Sequence, residues 1–185
     1  MAFMFPVALR RFAIPWLLGV CLTQQPAREP DIFFVPTSEA VADEMLTLAR
    51  IAADDVVYDL GSGDGRIVML AAQKYRARGV GIEIDPKLVA RAKAVAAQAE
   101  VGDRVRFIEG DLFEAEIREA TLVTLYLSPR VNAKLEPKLK AELRPGTRVV
   151  SHQFAIGTWP PEKTLRATDG TLLYLWTIPP KGGER

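Results

Sequence analysis

The stretch Val56-Val57-Tyr58-Asp59-Leu60-Gly61-Ser62-Gly63-Asp64-Gly65-Arg66-Ile67 decides the fold of this 185-residue chain. It begins with a short run of β-branched and apolar residues, which is typical of a buried strand, and continues through a glycine-rich turn into a helical pattern. Gly61, Gly63 and Gly65 let a ligand approach the backbone closely, where the N–H groups of the following helix point towards it. The stretch therefore predicts a strand, a ligand-binding turn and a helix.

The spacing of these glycines excludes two common phosphate sites. A dinucleotide fingerprint, Gly-x-Gly-x-x-Gly/Ala, needs a small residue where Arg66 stands. A P-loop needs a lysine followed by serine or threonine after its last glycine, and neither follows here. Asp59 places a negative charge beside the turn, which favours a ligand with a positive amine over a phosphate. Arg66 itself is most simply interpreted as a solvated or capping cation.

Outward from this unit, strand and helix signals alternate along the chain. We expect helices from a cap at Thr37 or Ser38 to about residue 50, and over residues 66–75, 86–99 and 131–143, and strands over residues 56–60, 79–85, 104–108, 121–127, 147–152, 164–168 and 171–178. Such alternation predicts an α/β fold with a mostly parallel, doubly wound sheet covered on both faces. The last two strands form a hairpin around Asp169-Gly170, which adds an antiparallel element at one edge.

Acidic residues follow the first three predicted strands. Glu83 lies about 20 residues after the turn, where an acid can accept hydrogen bonds from both hydroxyls of a ribose. Asp111 can accept from the exocyclic amine of adenine, while the Leu112 amide can serve a ring nitrogen. Together with Asp59, these acids converge at the switch point of the sheet. They describe an aminoacyl-adenosine ligand without phosphates, which is S-adenosylmethionine (SAM).

The same residues resemble the motifs of a known family. The stretch quoted first resembles motif I of class I SAM-dependent methyltransferases, and Gly81-Ile82-Glu83-Ile84-Asp85 and Glu109-Gly110-Asp111-Leu112 resemble the next two motifs. This resemblance implies a Rossmann-like, seven-stranded sheet of order 3-2-1-4-5-7-6. A narrower resemblance, from Phe34 to about Trp176, is to small protein-lysine methyltransferases. These include archaeal broad-specificity enzymes and the mitochondrial enzymes for ATP synthase c subunit or the adenine nucleotide translocase.

The narrower resemblance implies where cofactor and acceptor meet. It implies that the helix opening at Thr37 covers the cofactor, so Thr37 joins the expected cofactor-binding residues, and that acceptor lysines enter above Tyr126–Pro129. Tyr126 is our candidate catalytic residue, as part of the acceptor channel. The segment Tyr126-Leu-Ser-Pro129 lacks the Asn/Asp-Pro-Pro-Tyr signature of many methyltransferases of amides or bases. This argues against nucleobase N6 or glutamine methylation. His152 could orient an acceptor, although a structural role is simpler.

Three functions stay open at this point. The first is methyl transfer from SAM to a protein lysine, in which the protein supplies mainly positioning and desolvation. The second is a small-molecule methyltransferase, for which the chain offers little lid beyond residues 33–50. The third is a non-catalytic, membrane-tethered SAM-binding module. Labelling of protein lysines, labelling of metabolites only, or binding without turnover would separate them.

Composition and charge restrict the partners. The formal net charge is +1 over the whole chain and about −1 without residues 1–30, whereas nucleic-acid binders are usually basic. We therefore expect no nucleic-acid partner. A single cysteine and a single histidine exclude a disulfide framework and a multi-histidine metal centre, so we expect no metal.

Residues 1–30 are interpreted as a signal-like or anchor-like segment plus a linker, and residues 31–180 as the methyltransferase domain. Arg10-Arg11 precede an apolar run that is shorter than the roughly 20 residues of a membrane span. The segment indicates export or possible membrane association through residues 1–23. The cytosolic origin of SAM instead favours a catalytic domain that faces the cytoplasm. The oligomeric state is left open.

Overall fold

The computed structural model describes residues 35–180, so the expectations for residues 1–30 lie outside the described residues. Within the described range, no helix combines the length and the apolar character that a membrane crossing requires. The helices are α1 (Glu39–Leu48), α2 (Arg66–Tyr75), α3 (Pro86–Gln98) and α4 (Pro129–Glu142), and the strands are β1 (Val56–Leu60), β2 (Arg78–Glu83), β3 (Val105–Glu109), β4 (Leu122–Leu125), β5 (Arg148–His152), β6 (Lys163–Arg166) and β7 (Leu172–Thr177).

The seven strands form one sheet in the order β3-β2-β1-β4-β5-β7-β6. Strands β1 to β5 are parallel, and β7 is antiparallel to both of its neighbours, β5 and β6. The expected fold class and strand order are thus confirmed. The strand order reverses between β1 and β4, so the carboxyl ends of these two strands border the crevice where such folds bind ligands.

Side chains cap three of the helices described. Ser38, Asp85 and Ser128 each accept a hydrogen bond from a backbone N–H in the first turn of the following helix. Because Asp85 serves as a cap, β2 ends at Glu83, two residues earlier than the pattern predicts. Helix α4 begins at Pro129, two residues earlier than predicted, since the fixed φ of proline suits the first helical position.

Strand residues alternate between two hydrophobic clusters, one on each face of the sheet. Val57 of β1 packs in the cluster that includes residues of α1, α2 and α3, which we call the α1 face. Tyr58 packs in the other cluster with residues of α4, which we call the α4 face. Neither residues 110–121 nor residues 153–162 form a helix, so α4 is the only described helix on its face.

Polar contacts hold α1 against both halves of the sheet. The Asp43 carboxylate accepts hydrogen bonds of 2.6 Å from Lys74 and from the Tyr75 hydroxyl, both on α2. The Glu44 carboxylate accepts a 2.5 Å hydrogen bond from the Thr168 hydroxyl, in the turn between β6 and β7. Helix α1 therefore connects the β1–β2 side of the sheet with its antiparallel edge.

A second set of polar contacts lies at the opposite, amino-terminal end of the parallel strands. Arg148 pairs with the buried carboxylate of Asp55 and donates to the carbonyl oxygens of Ala49 and Arg50 at 2.8 and 3.0 Å. The Thr121 hydroxyl donates to the same Asp55 carboxylate at 2.5 Å. These contacts join β5, the end of α1 and the start of β4 at a distance from the switch point.

Candidate active site

The glycine-rich turn forms the floor of the candidate site. Gly61, Gly63 and Gly65 have φ values of 83°, 55° and 79°, in the left-handed region that favours glycine. The N–H groups of Gly61 and Ser62 both donate to the Ile82 carbonyl oxygen at 2.9 Å, which fixes the turn against the end of β2. A Cβ atom at Gly65 would overlap the Phe107 ring. The conformation therefore favours glycine at all three positions, and the packing requires it at Gly65.

Asp59 lies at the switch point with its side chain on the α1 face. The residue is 3% exposed, and its carboxylate accepts a 2.7 Å hydrogen bond from the Thr124 hydroxyl of β4. Burial raises the pKa of Asp59 to about 7; the Thr124 bond opposes this rise, and the negative charges of Glu83 and Asp64 add to it. A positively charged group placed here would stabilise the ionised carboxylate.

Glu83, the last residue of β2, is held by three backbone groups. One carboxylate oxygen accepts from the Gly63 N–H at 2.8 Å, and the other accepts from the N–H groups of Ile84 and Asp85 at 2.8 and 2.9 Å. An ionised carboxylate offers about four acceptor positions, so it can also receive a ligand hydroxyl. The contacts fix the carboxylate beside the glycine turn.

Asp111 and Leu112 follow the end of β3. The Gly110 N–H donates to the Glu83 carbonyl oxygen at 2.9 Å, which keeps this loop next to β2. One Asp111 carboxylate oxygen accepts from the Phe113 N–H at 2.9 Å, and the half-buried Leu112 packs on the α4-face cluster. The structure thus brings the sequence-predicted acids to the carboxyl ends of β1, β2 and β3, which are neighbouring strands.

These donors and acceptors fit an aminoacyl-adenosine cofactor. A buried carboxylate without a cation partner suits an ammonium group, and a fixed carboxylate suits a ribose diol. Gly61, Gly63 and Gly65 of the turn between them carry no side chains. Within residues 35–180, no group of three or more His, Cys, Asp or Glu residues could hold a metal ion.

Residues 35–38, which we call the strap, lie directly before α1 and outside the helices and strands. The carbonyl oxygen of Thr37 accepts a 2.7 Å hydrogen bond from the Arg66 guanidinium, which also donates to both Asp64 carboxylate oxygens at 3.0 and 2.7 Å. These bonds with Arg66 lower the pKa of Asp64. Arg66 thus fastens the strap to the first residues of α2. The Arg66 side chain is still 37% exposed, so the interpretation as a solvated cation is incomplete, because it omits the contact with the strap.

Tyr126 directly follows β4, His152 is the last residue of β5, and the two side chains lie side by side. Leu125 pairs with Ser151 in the sheet, so the next residue of each strand is Tyr126 or His152. The two ring centroids are 3.9 Å apart, at an interplanar angle of 41°. His152 is 5% exposed, and its Nδ1 lies 3.3 Å from the Thr37 hydroxyl. The strap therefore touches both the α2 side and the β5 side of the crevice.

Sequence reasoning missed two contacts in this region. Thr124 was visible as a polar residue within an apolar strand, and that is the signal that could have paired it with Asp59. Asn132 of α4 is fully buried and donates to the Ser151 hydroxyl at 3.1 Å and to the Phe154 carbonyl oxygen at 3.0 Å. Its position in a helix that otherwise presents apolar residues to the sheet is a similar signal. The contacts of Asn132 hold the backbone that follows His152.

The comparisons with known proteins agree with this geometry. Residues 59–163 match the model of the ANTKMT methyltransferase domain. The chain is 43% identical over 153 residues to the protein-lysine N-methyltransferase of Saccharolobus islandicus strain REY15A, a match that covers 80% of this chain and 95% of that protein. It is 39% identical over 128 residues to the adenine nucleotide translocase lysine N-methyltransferase of Mus musculus, covering 69% of this chain. The matched part spans 56% of that longer mouse protein.

A solved structure with a bound cofactor product is also similar to this chain. The chain is 56% identical to an RNA methyltransferase from Salinibacter ruber, crystallised in complex with S-adenosyl-L-homocysteine. The two structures align with a TM-score of 0.78, covering 82% of this chain and 98% of that one. Sequence, fold and neighbours therefore lead to one conclusion: the chain belongs to the ANTKMT methyltransferase domain family and is a SAM-dependent methyltransferase.

Proposed function

We propose that this methyltransferase transfers the methyl group of SAM to the side-chain amine of protein lysines. The observation that carries the proposal is the 43% identity to an archaeal protein-lysine N-methyltransferase, of which the match covers 95%. The mouse relative, which also modifies lysine according to its name, supports the same acceptor class. The geometry at Tyr126 and His152 offers such an acceptor an aromatic, largely buried approach.

We further propose how the described residues hold SAM. Asp59 binds the ammonium group of the methionyl part, Glu83 the ribose hydroxyls, Asp111 the adenine amine, and the Leu112 amide a ring nitrogen. Gly61, Gly63 and Gly65, all with positive φ, shape the turn beside which the ligand binds. Thr37 lies in the strap, which Arg66 holds beside the glycine turn.

Bound SAM would supply a methyl group already activated by its sulfonium, so the chain's residues have to prepare the acceptor. A lysine reacts as a neutral amine, and surroundings of low polarity lower the pKa of an entering ammonium group. The Tyr126 ring and the neutral His152 ring provide such surroundings on the α1 face, the face that also carries Asp59. With SAM bound, the lysine ammonium would lose a proton to solvent, and its nitrogen lone pair would then form the bond to the methyl carbon while the electron pair of the carbon–sulfur bond leaves with S-adenosylhomocysteine.

Transfer of labelled methyl groups from SAM tests this function. A heat-denatured protein extract and total RNA from the same cells are offered in parallel. We expect protease-sensitive label in the protein fraction, and mass spectrometry should find it on lysine side chains. Asp59→Asn is the inactive control, and Asp54→Asn, at an exposed position, is the matched active control. Label confined to small metabolites would contradict the lysine assignment.

RNA is the second candidate acceptor, because the Salinibacter ruber structure is that of an RNA methyltransferase. Against it, the chain after residue 30 carries a net charge of about −1, whereas RNA-binding surfaces are usually basic. In the same experiment, RNase-sensitive label in the RNA fraction, with none on protein, would favour this second function.

We also propose that residues 31–180 form the catalytic domain and that residues 1–23 allow membrane association. The apolar run after Arg10-Arg11 supports the second part of this proposal. Flotation with phosphatidylglycerol-containing vesicles should recover the full chain but not a chain that begins at residue 31. Both chains should bind SAM equally. Equal flotation of the two chains would contradict the membrane role.

A further inference from the structure

His152 is the only histidine of the chain, and its ring lies between two other elements of the site. One face packs against Tyr126, at a centroid distance of 3.9 Å. Nδ1 lies 3.3 Å from the Thr37 hydroxyl, and this is the only hydrogen bond of the ring found among residues 35–180. The side chain is therefore fixed by a tilted ring contact with Tyr126, just after β4, and by a polar contact with the strap.

We propose that His152 is a positioning residue of the acceptor site. It joins the Tyr126 ring to the strap at Thr37 and presents an uncharged surface to the entering amine. This inference rests on the proposed lysine function, because it assigns the acceptor side of that same site.

The positions of Thr37, Tyr126 and His152 relative to Asp59 support this role. Asp59 pairs with Thr124 in the sheet, and Thr124 and Tyr126, two residues apart, lie on the same face. If Asp59 holds the ammonium end of SAM, the reactive end faces the neighbouring strands β4 and β5. The rings of Tyr126 and His152 then border the path of the acceptor to that end.

The surroundings of His152 keep it neutral. Burial lowers its pKa, while Asp169, in the turn between β6 and β7, opposes this effect. The other elements that face the ring contribute Tyr126 and the Thr37 hydroxyl, and neither is charged. We assign the proton of the neutral ring to Nε2, so that the Thr37 hydroxyl donates to Nδ1; the other tautomer would reverse the direction of this hydrogen bond. A protonated ring would place a cation beside the acceptor ammonium and oppose its entry.

The strap makes the two halves of the site depend on each other. Thr37 is held through its carbonyl oxygen by Arg66, next to the glycine turn, and through its hydroxyl by His152. A change at His152 therefore affects the glycine turn, where the cofactor is proposed to bind, through Thr37 alone. Loss of either bond should loosen the wall that Tyr126 and the strap form together.

Nuclear magnetic resonance tests the contact without any acceptor. Because the chain has one histidine, its imidazole signal in an untagged protein belongs to His152. We expect a pKa below the ordinary value of 6.5, an upward shift in Thr37→Val, and a value close to that of the wild type in Thr37→Ser. A pKa at or above 6.5 that Thr37→Val leaves unchanged would overturn the inference. This result would leave the proposed lysine function intact.

Kinetics at saturating SAM test the role in transfer, with denatured histone as the lysine acceptor. His152→Phe keeps a ring against Tyr126 but loses the bond to Thr37, and Thr37→Val loses the same bond from the other side. We expect each variant to lower kcat/KM for histone about tenfold, and the double variant to lower it no further. Thr37→Ser should restore the wild-type value. Additive losses, or losses only in thermal stability, would overturn the positioning role.

The pH profile separates this role from a purely structural one. When only the acceptor amine titrates, log(kcat/KM) rises with a slope of one; a second group steepens it towards two below its own pKa. The wild type should show the steeper limb only in the acid range below the lowered pKa of His152. His152→Phe should keep a slope of one, and a shared slope would contradict the inference. Absence of histone methylation by the wild type, with the expected imidazole pKa, would count against the lysine function alone.

Discussion

The Asp59 carboxylate accepts a 2.7 Å hydrogen bond from the Thr124 hydroxyl, which ties the carboxyl ends of β1 and β4 together at the switch point. Among residues 35–180 this is the only hydrogen bond found for that carboxylate, and no cation pairs with it. The two residues thus hold a buried negative charge ready for a cationic ligand. The fold bears the cost of this charge when no such ligand is bound.

Asp59→Asn should raise the thermal stability of the ligand-free protein while it lowers the affinity for SAM. The amide can still accept the Thr124 hydrogen bond, but it removes a buried charge. We expect a higher Tm than the wild type at pH 8 without ligand, and SAM affinity at least about 100-fold lower. Differential scanning fluorimetry and calorimetric titration measure the two effects. Asp54→Asn, at an exposed site, should change neither. Unchanged SAM affinity in Asp59→Asn would overturn the assignment of Asp59.

SAM binding should weaken in acid because of the same carboxyl. Its pKa is about 7 without a ligand, and a cation bound beside it favours the ionised form. Below pH 7, binding must therefore release a proton, and affinity should fall by up to about tenfold per pH unit. Titration calorimetry in buffers of different ionisation enthalpy should count close to one proton released at about pH 6. Release of no proton would show that Asp59 is already ionised.

The raised pKa of Asp59 also determines how its contribution to the free energy of unfolding changes with pH. The ordinary aspartate pKa of 3.8 applies to the unfolded chain, so between 3.8 and about 7 the folded state binds more protons at Asp59. The contribution of this group to the free energy of unfolding therefore decreases as pH rises through that window. The decrease should be absent in Asp59→Asn, which a series of urea denaturation curves would measure. An identical pH dependence in both proteins would contradict this assignment.

Gly65→Ala should destabilise the fold more than an alanine at another left-handed glycine. Gly65 and Gly146 have similar φ values of 79° and 85°. A Cβ at Gly65 would overlap the Phe107 ring, whereas nothing lies within 4 Å at Gly146. We expect a loss of about 1 kcal/mol for Gly146→Ala and about 2–4 kcal/mol for Gly65→Ala, by urea denaturation. Equal decreases in the free energy of unfolding would show that the Phe107 ring moves aside without measurable strain.

Arg148→Met should reduce stability without affecting the site. Arg148 pairs with the buried Asp55 at the end of the sheet away from the switch point, and its loss leaves that carboxylate without its cation. We expect the free energy of unfolding to fall by about 3 kcal/mol, with SAM affinity unchanged below the new Tm. Glu119→Gln is the control, because its pair with Arg106 is exposed and worth at most about 1 kcal/mol, and the substitution leaves the hydrogen bond from Arg106 to the Tyr58 hydroxyl in place. A loss of SAM affinity in Arg148→Met would contradict this separation.

The motifs near the glycine turn are local, and local patterns predicted them well. Strand β1, the glycine turn and the start of α2 follow one another in sequence, so propensity and spacing specify them. The strand order is confirmed because those motifs resemble a family whose order is known. The end of β2 was placed too late, since an aspartate that caps a helix reads equally well as the end of a strand.

The contacts that complete the site could not be predicted from local patterns. Arg66 meets the Thr37 carbonyl across 29 residues, and Asp59 meets Thr124 across 65. Such pairs form only when the sheet order and register bring distant residues together. A cation at a helix start, such as Arg66, is by itself equally compatible with solvent exposure. The roles of these residues in binding stay predictions.

The bond between Thr37 and His152 spans 115 residues, and that between Glu44 and Thr168 spans 124. During synthesis on the ribosome, the strap and α1 emerge early, while their partners on β5 and the last hairpin emerge near the end. The hydrogen bond from the strap to His152 can therefore form only after most of the chain has been synthesised. A nascent polypeptide could assemble the strands around the glycine turn, but it could not yet close the acceptor side. The proposed positioning role of His152 therefore requires that methyl transfer begin only after translation of the domain is nearly complete.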